Sequence, residues 1–343
     1  VFADRVGLTY VAEDLPGITR VRRGKGFSFH GPDGRLLNGS ERERVLSLAV
    51  PPAWREVWIC PTPDGHVQAR GLDDAERRQY RYHDRWTEGR RMANFDRLRG
   101  MGNRLAPLRR ELDALLLDGT DPVRQAAAAM VRLVDSGMAR IGGPRSVQEH
   151  GHFGVSTLQR DHVDVRDRQV TLTYPGKSGV QREVHVADEL LAEVLDQLEL
   201  ASDTLFHVHA EGELHRLSAA DANALLAELT AGWMTCKDFR TWGGSAVALE
   251  AMVVPILAGE QPDPVAAVDA AAAKLGNTRA VARSSYVHPG GLEADPELLV
   301  DTWKAARSST RFDRRERALV KLLDATPPLL DAWINRPEEP AGP

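Results

Sequence analysis

The sequence predicts an α+β chain of two domains: a small antiparallel β-sheet over residues 1–90, and a larger, mainly α-helical domain over 91–343 that carries one β-hairpin. Three observations carry that reading. The first ninety residues alternate short β-rich runs with Gly/Pro/Asp turns. After Trp86 the punctuation changes to helix N-caps followed by alanine- and leucine-rich stretches, and one Pro-Gly turn between two β-rich runs interrupts the helical part. A length of 343 residues exceeds the usual single domain, and an apolar content of 42% is ample for two cores.

Taken in order, residues 27–30 alternate apolar and polar side chains and run into Gly31-Pro32-Asp33-Gly34. Residues 57–60 and 66–69 flank a second turn at 61–65. Period-two runs separated by Pro/Gly turns read as hairpin strands. In the second part, Asp121 before Pro122 supplies a side-chain cap with proline at the first helical position, opening the alanine-rich run 123–134. Comparable starts open helices over 188–200, 218–233, 239–252 and 263–275. The interruption consists of residues 170–174, a turn at 175–179 and residues 180–186, with Lys177 at its tip. There is no internal repeat, and the tail 336–343 is expected to fray.

Composition removes several classes. Cys60 and Cys236 are far apart and lack a C-x-x-C companion, so neither a disulfide framework nor a cysteine zinc site is expected. The opening VFADRVGLTYVAED has no basic stretch followed by an apolar core, and no window approaches the roughly 20 apolar residues of a membrane span; a soluble, cytoplasmic protein is expected. The net charge of −5 conceals an asymmetry. Residues 1–110 hold 21 Lys and Arg against 14 Asp and Glu, a balance of +7, against −12 for the remainder. Nearly all those cations are arginine, whose planar fork suits phosphate, although a charged run also serves simply as a solvated face.

There is no G-x-x-x-x-G-K-[ST] phosphate loop, no H-E-x-x-H and no G-x-S-x-G, and the histidines show no paired metal spacing. Gly100-Met101-Gly102 follows no predicted strand and carries no weight as a dinucleotide motif. What remains is basic and hydroxyl-bearing. Arg140 sits at a helix end in MARIGG, and Lys237 and Arg240 stand at i and i+3 in KDFRTWGG, able to project from one helical face. Asn277 and Tyr286 follow in GNTRAVARSSYVHP. Taken singly, each has a structural explanation: a tyrosine packs, an asparagine beside glycine caps a helix, and a helix-end arginine pairs with an acid.

Taken together and in order, these residues resemble the type IB DNA topoisomerases of the poxvirus and bacterial branch. The likeness rests on the helix-end arginine, the hairpin lysine, K-D-x-R-T, L-G-N-T and S-S-Y. Arg77-Arg78-Gln79-Tyr80-Arg81-Tyr82 also looks like that family's R-K-Q-Y-x-Y segment, and the resemblance covers residues 51–289. It implies a helical catalytic domain related to those of tyrosine recombinases, with Tyr286 as nucleophile. Arg140, Arg240 and Asn277 would stabilise the phosphoryl oxygens, Lys177 would be the general acid and Lys237 a possible support. Arg77, Gln79, Tyr80 and Tyr82 would share one strand face that grips duplex DNA, although tyrosines at i and i+2 also simply pack.

The reaction so implied relaxes supercoils. Tyr286 forms a 3′-phosphotyrosyl bond, the freed strand rotates, and the 5′-hydroxyl religates without ATP, metal or other cofactor. The chain would act on nucleoid DNA as a monomeric clamp with a hinge between Trp86 and Asn94. Many relatives carry histidine where this chain has Asn277, and an amide donates but does not titrate. Nine residues at about 100° each place Asn277 and Tyr286 on opposite sides of an unbroken helix, so a break between them is expected. Two alternatives stay open. A tyrosine site-specific recombinase typically has histidine where Lys237 stands, and a non-enzymatic DNA-binding protein on the same scaffold would form no covalent adduct.

Overall fold

A computed structural model describes residues 1–197 and 203–335. The expected frayed tail and the last residues of the helix expected over 188–200 lie outside them. The chain divides into two units: Val1–Asn94 with the described residues from Leu329 onward, and Phe95–Pro328.

In the first unit, α1 (Phe2–Arg5) precedes β1 (Ile18–Arg23), β2 (Gly26–His30), α2 (Gly39–Ser47), β3 (Arg55–Ile59), β4 (Val67–Leu72) and β5 (Arg78–Tyr82). The strands pair antiparallel in the order β2-β1-β3-β4-β5, which leaves β5 on an edge. One sheet face buries Ile18, Phe29, Val57, Ile59 and Ala69 against Val45 of α2 and against Leu37, which precedes that helix. β1 and α2 are absent from the sequence reading because each buries a single residue, Ile18 and Val45, and so carries little periodicity.

The second unit is built on α3 (Asp84–Leu117), which begins in the first unit and is one helix through the segment expected to hinge. Leu98, Met101, Leu105, Leu108, Leu112 and Leu116, spaced three or four apart, are buried along it. Gly100 packs against Trp233, and Gly102 against Val320 and Trp242, so the G-x-G pair serves helix packing. α4 (Pro122–Gly137) is capped by Asp121, whose carboxylate accepts from the Arg124 amide at 3.0 Å. α5 (Pro144–His150), β6 (Val163–Arg166), β7 (Gln169–Pro175), β8 (Gln181–Val186), α6 (Glu189–Gln197), β9 (His207–Ala210), β10 (Glu213–Arg216) and α7 (Ala219–Leu229) follow. The remainder is helical: α8 (Cys236–Leu257), α9 (Pro264–Leu275), α10 (Arg279–Ser285), α11 (Gly290–Glu293), α12 (Pro296–Ala305) and α13 (Arg314–Ala325). α14 (Leu329–Ile334) belongs to the first unit, a return of the chain that has no counterpart in the sequence reading.

The single hairpin expected in the helical part is β7–β8, but it is not alone. β6 joins it in a three-stranded sheet, and β9–β10 forms a second hairpin. Both additions turn through two residues of positive φ, Asp167 and Arg168 in one, Glu211 and Gly212 in the other. Such turns match strand twist, but three of those four residues are not the Gly or Asn that advertise them.

α8 is held at the centre by a buried charge network. Arg109 of α3 bonds Asp135 of α4 (2.8 Å) and Glu316 of α13 (2.7 Å), and Glu316 accepts from Trp242 Nε1 of α8 at 2.9 Å. Burial alone would lower the Arg109 pKa, but its two carboxylates outweigh that and raise it. Removing one partner from such a buried set costs about 3–5 kcal/mol, because it strands a charge.

Candidate active site

A helix ends with main-chain carbonyls that lack intrahelical partners, at the negative pole of its dipole. α9 ends at Leu275, and Gly276 follows in the left-handed conformation (φ 59°) that closes such an end. Its last carbonyls are taken by arginines from three other segments. Arg182 of β8 donates to Ala273 O (3.3 Å) and Lys274 O (2.7 Å), Arg240 of α8 to Leu275 O (3.0 Å), and Arg140, just beyond α4, to Gly276 O (3.0 Å). Arg240 also donates to Met138 O, at the left-handed residue that ends α4.

The result is a concentration of positive charge without a carboxylate. Among the described residues neither Arg140 nor Arg240 has an acidic group acting on it; their neighbours are each other, Arg182 and two phenols. Arg240 is 3% exposed, and burial followed by the charge of Arg140 pushes its pKa down to about 10. Burial likewise lowers that of Arg140. The buried phenol of Tyr174, which faces all three guanidinium groups from β7, is pushed upward by desolvation and stays neutral. Two buried donors have no protein acceptor, Arg240 Nε and Asn277 Nδ2. Arg140 donates to Asn277 Oδ1, which orients the amide so that its NH2 end is the unpaired one. Fixed cations and unpaired donors of this kind suit an anion, and phosphate above all.

Tyr286 closes the cluster. α10 starts after the Thr278 cap and ends at Tyr286, so the chain does break between Asn277 and Tyr286. The Arg240 guanidinium lies 5.0 Å from the centroid of the half-buried Tyr286 ring. Ser245, five residues beyond Arg240 on α8, pins the tyrosine's main chain. Its Oγ donates to Thr241 O (2.7 Å) and lies 3.2 Å from Tyr286 O, and it accepts from the His288 amide at 2.9 Å. Gly244 permits the approach, since a Cβ there would lie 2.8 Å from Tyr286 O and 2.9 Å from Leu275 Cδ1.

The structure thus brings Arg140, Arg240, Asn277 and Tyr286 together. Lys177 stands exposed on a short turn (Lys177–Gly179) of the hairpin that also carries Tyr174 and Arg182. Lys237 is exposed in the first turn of α8, whereas Arg240 is buried. Neither lysine has a hydrogen bond or ion pair with the cluster among the described residues. Tyr174, Arg182, Gly244 and Ser245 were not singled out from sequence. The pairing of Tyr174 with Arg182 was not legible, because counting outward from a tip at Lys177 sets Tyr174 opposite Val180, whereas the observed register is centred one residue later.

In the first unit, the four residues expected to share one strand face do not. Alternation along β5 sends Gln79 to the side of Gly71, and Tyr80 to the side of Arg70. Arg77 and Gln79 both bind the turn residue Asp73 at 2.8 Å, while Tyr80 and Tyr82 stack on the other face with centroids 5.7 Å apart. That face also carries Arg70 over Trp58 (4.5 Å) and Arg78 paired with Glu13 (3.3 Å). Among the described residues there is no cluster of three metal-ligating side chains, and no helix is long and apolar enough to cross a membrane.

Residues 26–73 match the N-terminal domain of bacterial DNA topoisomerase IB, and residues 84–295 match the catalytic core of eukaryotic DNA topoisomerase I. The second match contains every residue of the arginine cluster, Lys177, Lys237 and Tyr286; the β5 segment falls between the two. DNA topoisomerase 1B of Acanthamoeba polyphaga mimivirus is 26% identical over 307 residues, which covers 84% of this chain and 90% of the viral protein. With the catalytic-core match alone spanning 212 of 343 residues, the chain belongs to the type IB DNA topoisomerase family.

Proposed function

We propose that the chain relaxes supercoiled duplex DNA through a covalent bond between Tyr286 and a 3′ phosphate, formed in the arginine nest at the end of α9. The observation that carries this is the convergence of Arg140 and Arg240 beside Tyr286 with no carboxylate to neutralise them. Tyr286 Oη attacks phosphorus and loses its proton to solvent, the P–O5′ bond breaks, and O5′ takes a proton from Lys177 Nζ. Charge accumulating on the nonbridging oxygens is met by Arg140, Arg240 and the Asn277 NH2, the pre-set electrostatic stabilisation on which phosphoryl transfer mainly depends. Lys237, one turn from Arg240, adds positive potential at the entrance. The energy of the phosphodiester is retained in the phosphotyrosine, so religation needs neither ATP nor a metal.

We read the Tyr80–Tyr82 face of β5, with Arg70 and Arg78 beside it, as a duplex contact; Arg77 and Gln79 reach phosphate only on release from Asp73. One chain acts alone on nucleoid DNA, both units on the same duplex. The second unit is read as kin to tyrosine recombinase catalytic domains, with Lys237 in place of their histidine favouring relaxation over recombination. The test is a suicide duplex whose scissile strand is labelled at its 5′ end, run on a denaturing gel, beside relaxation of a supercoiled plasmid by dilute protein in EDTA without ATP. The wild-type chain should form a labelled adduct and relax the plasmid. Tyr286→Phe should bind the duplex with unchanged affinity and do neither; an adduct with that variant would place the nucleophile elsewhere.

A further inference from the structure

We propose that Arg182 is a third guanidinium of the strand-transfer site, binding a nonbridging oxygen of the scissile phosphodiester together with Arg140 and Arg240. The inference rests on the reading that this site transfers a DNA phosphate to Tyr286. The three arginines come from a loop, a strand and a helix, yet they converge on four successive carbonyls, Ala273 to Gly276. Arg182 lies flat on Gly276: a Cβ on that glycine would stand 2.5 Å from its Nη1 and 2.6 Å from its Cζ. It therefore touches the same turn whose carbonyl binds Arg140 and whose next residue is Asn277.

The negative pole of α9 favours a cation, but it does not account for three held together. A neutral donor would serve the carbonyls, whereas the charge of Arg182 acts unfavourably on both Arg140 and Arg240. Its cross-strand partner Tyr174 is a neutral phenol, not a counter-ion. Arg182 makes no ion pair with Asp or Glu among the described residues. A guanidinium has five N–H donors; the two carbonyls and the Tyr174 hydroxyl engage three, which leaves two. Three cations held together against their own repulsion, each with donors to spare, are arranged for an anion that develops charge on more than one oxygen. Arg182 also shares the Tyr174–Arg182 hairpin with Lys177, so the strand pair that presents the general acid presents a phosphate ligand as well.

The test compares single-turnover adduct formation by the full chain on two duplexes, one with an ordinary scissile phosphate and one with a neutral methylphosphonate at that position. Arg182→Ala should slow cleavage of the phosphate duplex by roughly 100- to 1,000-fold, the scale of losing one transition-state donor, with less than about a threefold change in duplex affinity. On the methylphosphonate, which lacks the anionic oxygen, the slowing should shrink to under about threefold. Arg182→Lys, which keeps the charge without the fork, should fall between. Equal slowing on both duplexes would mean that Arg182 only braces α9, and no slowing would mean that it takes no part; either overturns the proposal. Should Arg182→Ala not fold, the same ratio measured with Arg182→Lys decides. Failure of the wild-type chain to form any adduct on the phosphate duplex would instead overturn the functional reading, and this inference with it.

Discussion

Asn277, a neutral amide among arginines, has its direction set by a tertiary contact. Its oxygen is held by Arg140, which leaves the NH2 end to donate. The sequence named the residue, but the direction of its amide depends on an arginine 137 positions away and was not legible. His288, two residues beyond Tyr286, was likewise passed over as one histidine among eleven. It is buried, its Nδ1 accepts from the Gly290 amide at 3.0 Å, and its Nε2 therefore carries the proton and finds no partner. Burial and then the charge of Arg99 push its pKa down to about 4. Above the unfolded value of about 6.5 the ring is neutral in both states and stability is complete. As pH falls from there towards 4, the unfolded chain binds a proton that the folded chain refuses, so stability drops by up to about 3 kcal/mol. Chemical denaturation at pH 7 and pH 4.5 should show this loss. His288→Gln should lose much of the slope; an unchanged slope would assign the acid sensitivity to other groups.

At the scale of elements, the site is the end of one helix answered by three segments. The sequence signalled α9 through Asp263-Pro264 and its glycine stop, and helical geometry required the break that Thr278 makes. It could not signal that the carbonyls of α9 organise the arginines, because that is a tertiary fact about segments far apart in the chain. The β7–β8 hairpin was readable from its Pro-Gly turn, whereas β6 and the β9–β10 hairpin turn mostly on residues that do not mark such turns. β5 was recognised, but grouping Arg77 and Gln79 with Tyr80 and Tyr82 overlooked strand alternation, which Asp73 makes visible. The hairpin also carries a prediction. Lys177→Ala should cleave an ordinary duplex at least about 100-fold more slowly, as loss of a general acid does, and should recover most of that rate on a duplex with a 5′-bridging sulfur, whose thiolate leaves without a proton. Equal slowing on both substrates would remove Lys177 from the acid role.

For the whole molecule, the change of punctuation near Trp86 was legible because it is an average over many residues. The return of the chain from Leu329 was not, since α14 has only Leu330 fully buried, beside Ala3, Val6 and Leu8. The buried Arg109 network was equally hidden, because its members come from α3, α4 and α13 and look like ordinary surface charges in the sequence. It links those helices to α8 through Trp242, on the same helix as Arg240, Gly244 and Ser245. The central claim, that this framework holds Tyr286 as the nucleophile, has one direct measurement: trypsin digestion of the trapped DNA adduct and mass spectrometry of the peptide that retains a nucleotide. The account predicts the peptide of residues 284–304, in which Tyr286 is the only tyrosine. A nucleotide on residues 169–177 would name Tyr174, the other phenol among the same arginines, and would contradict it.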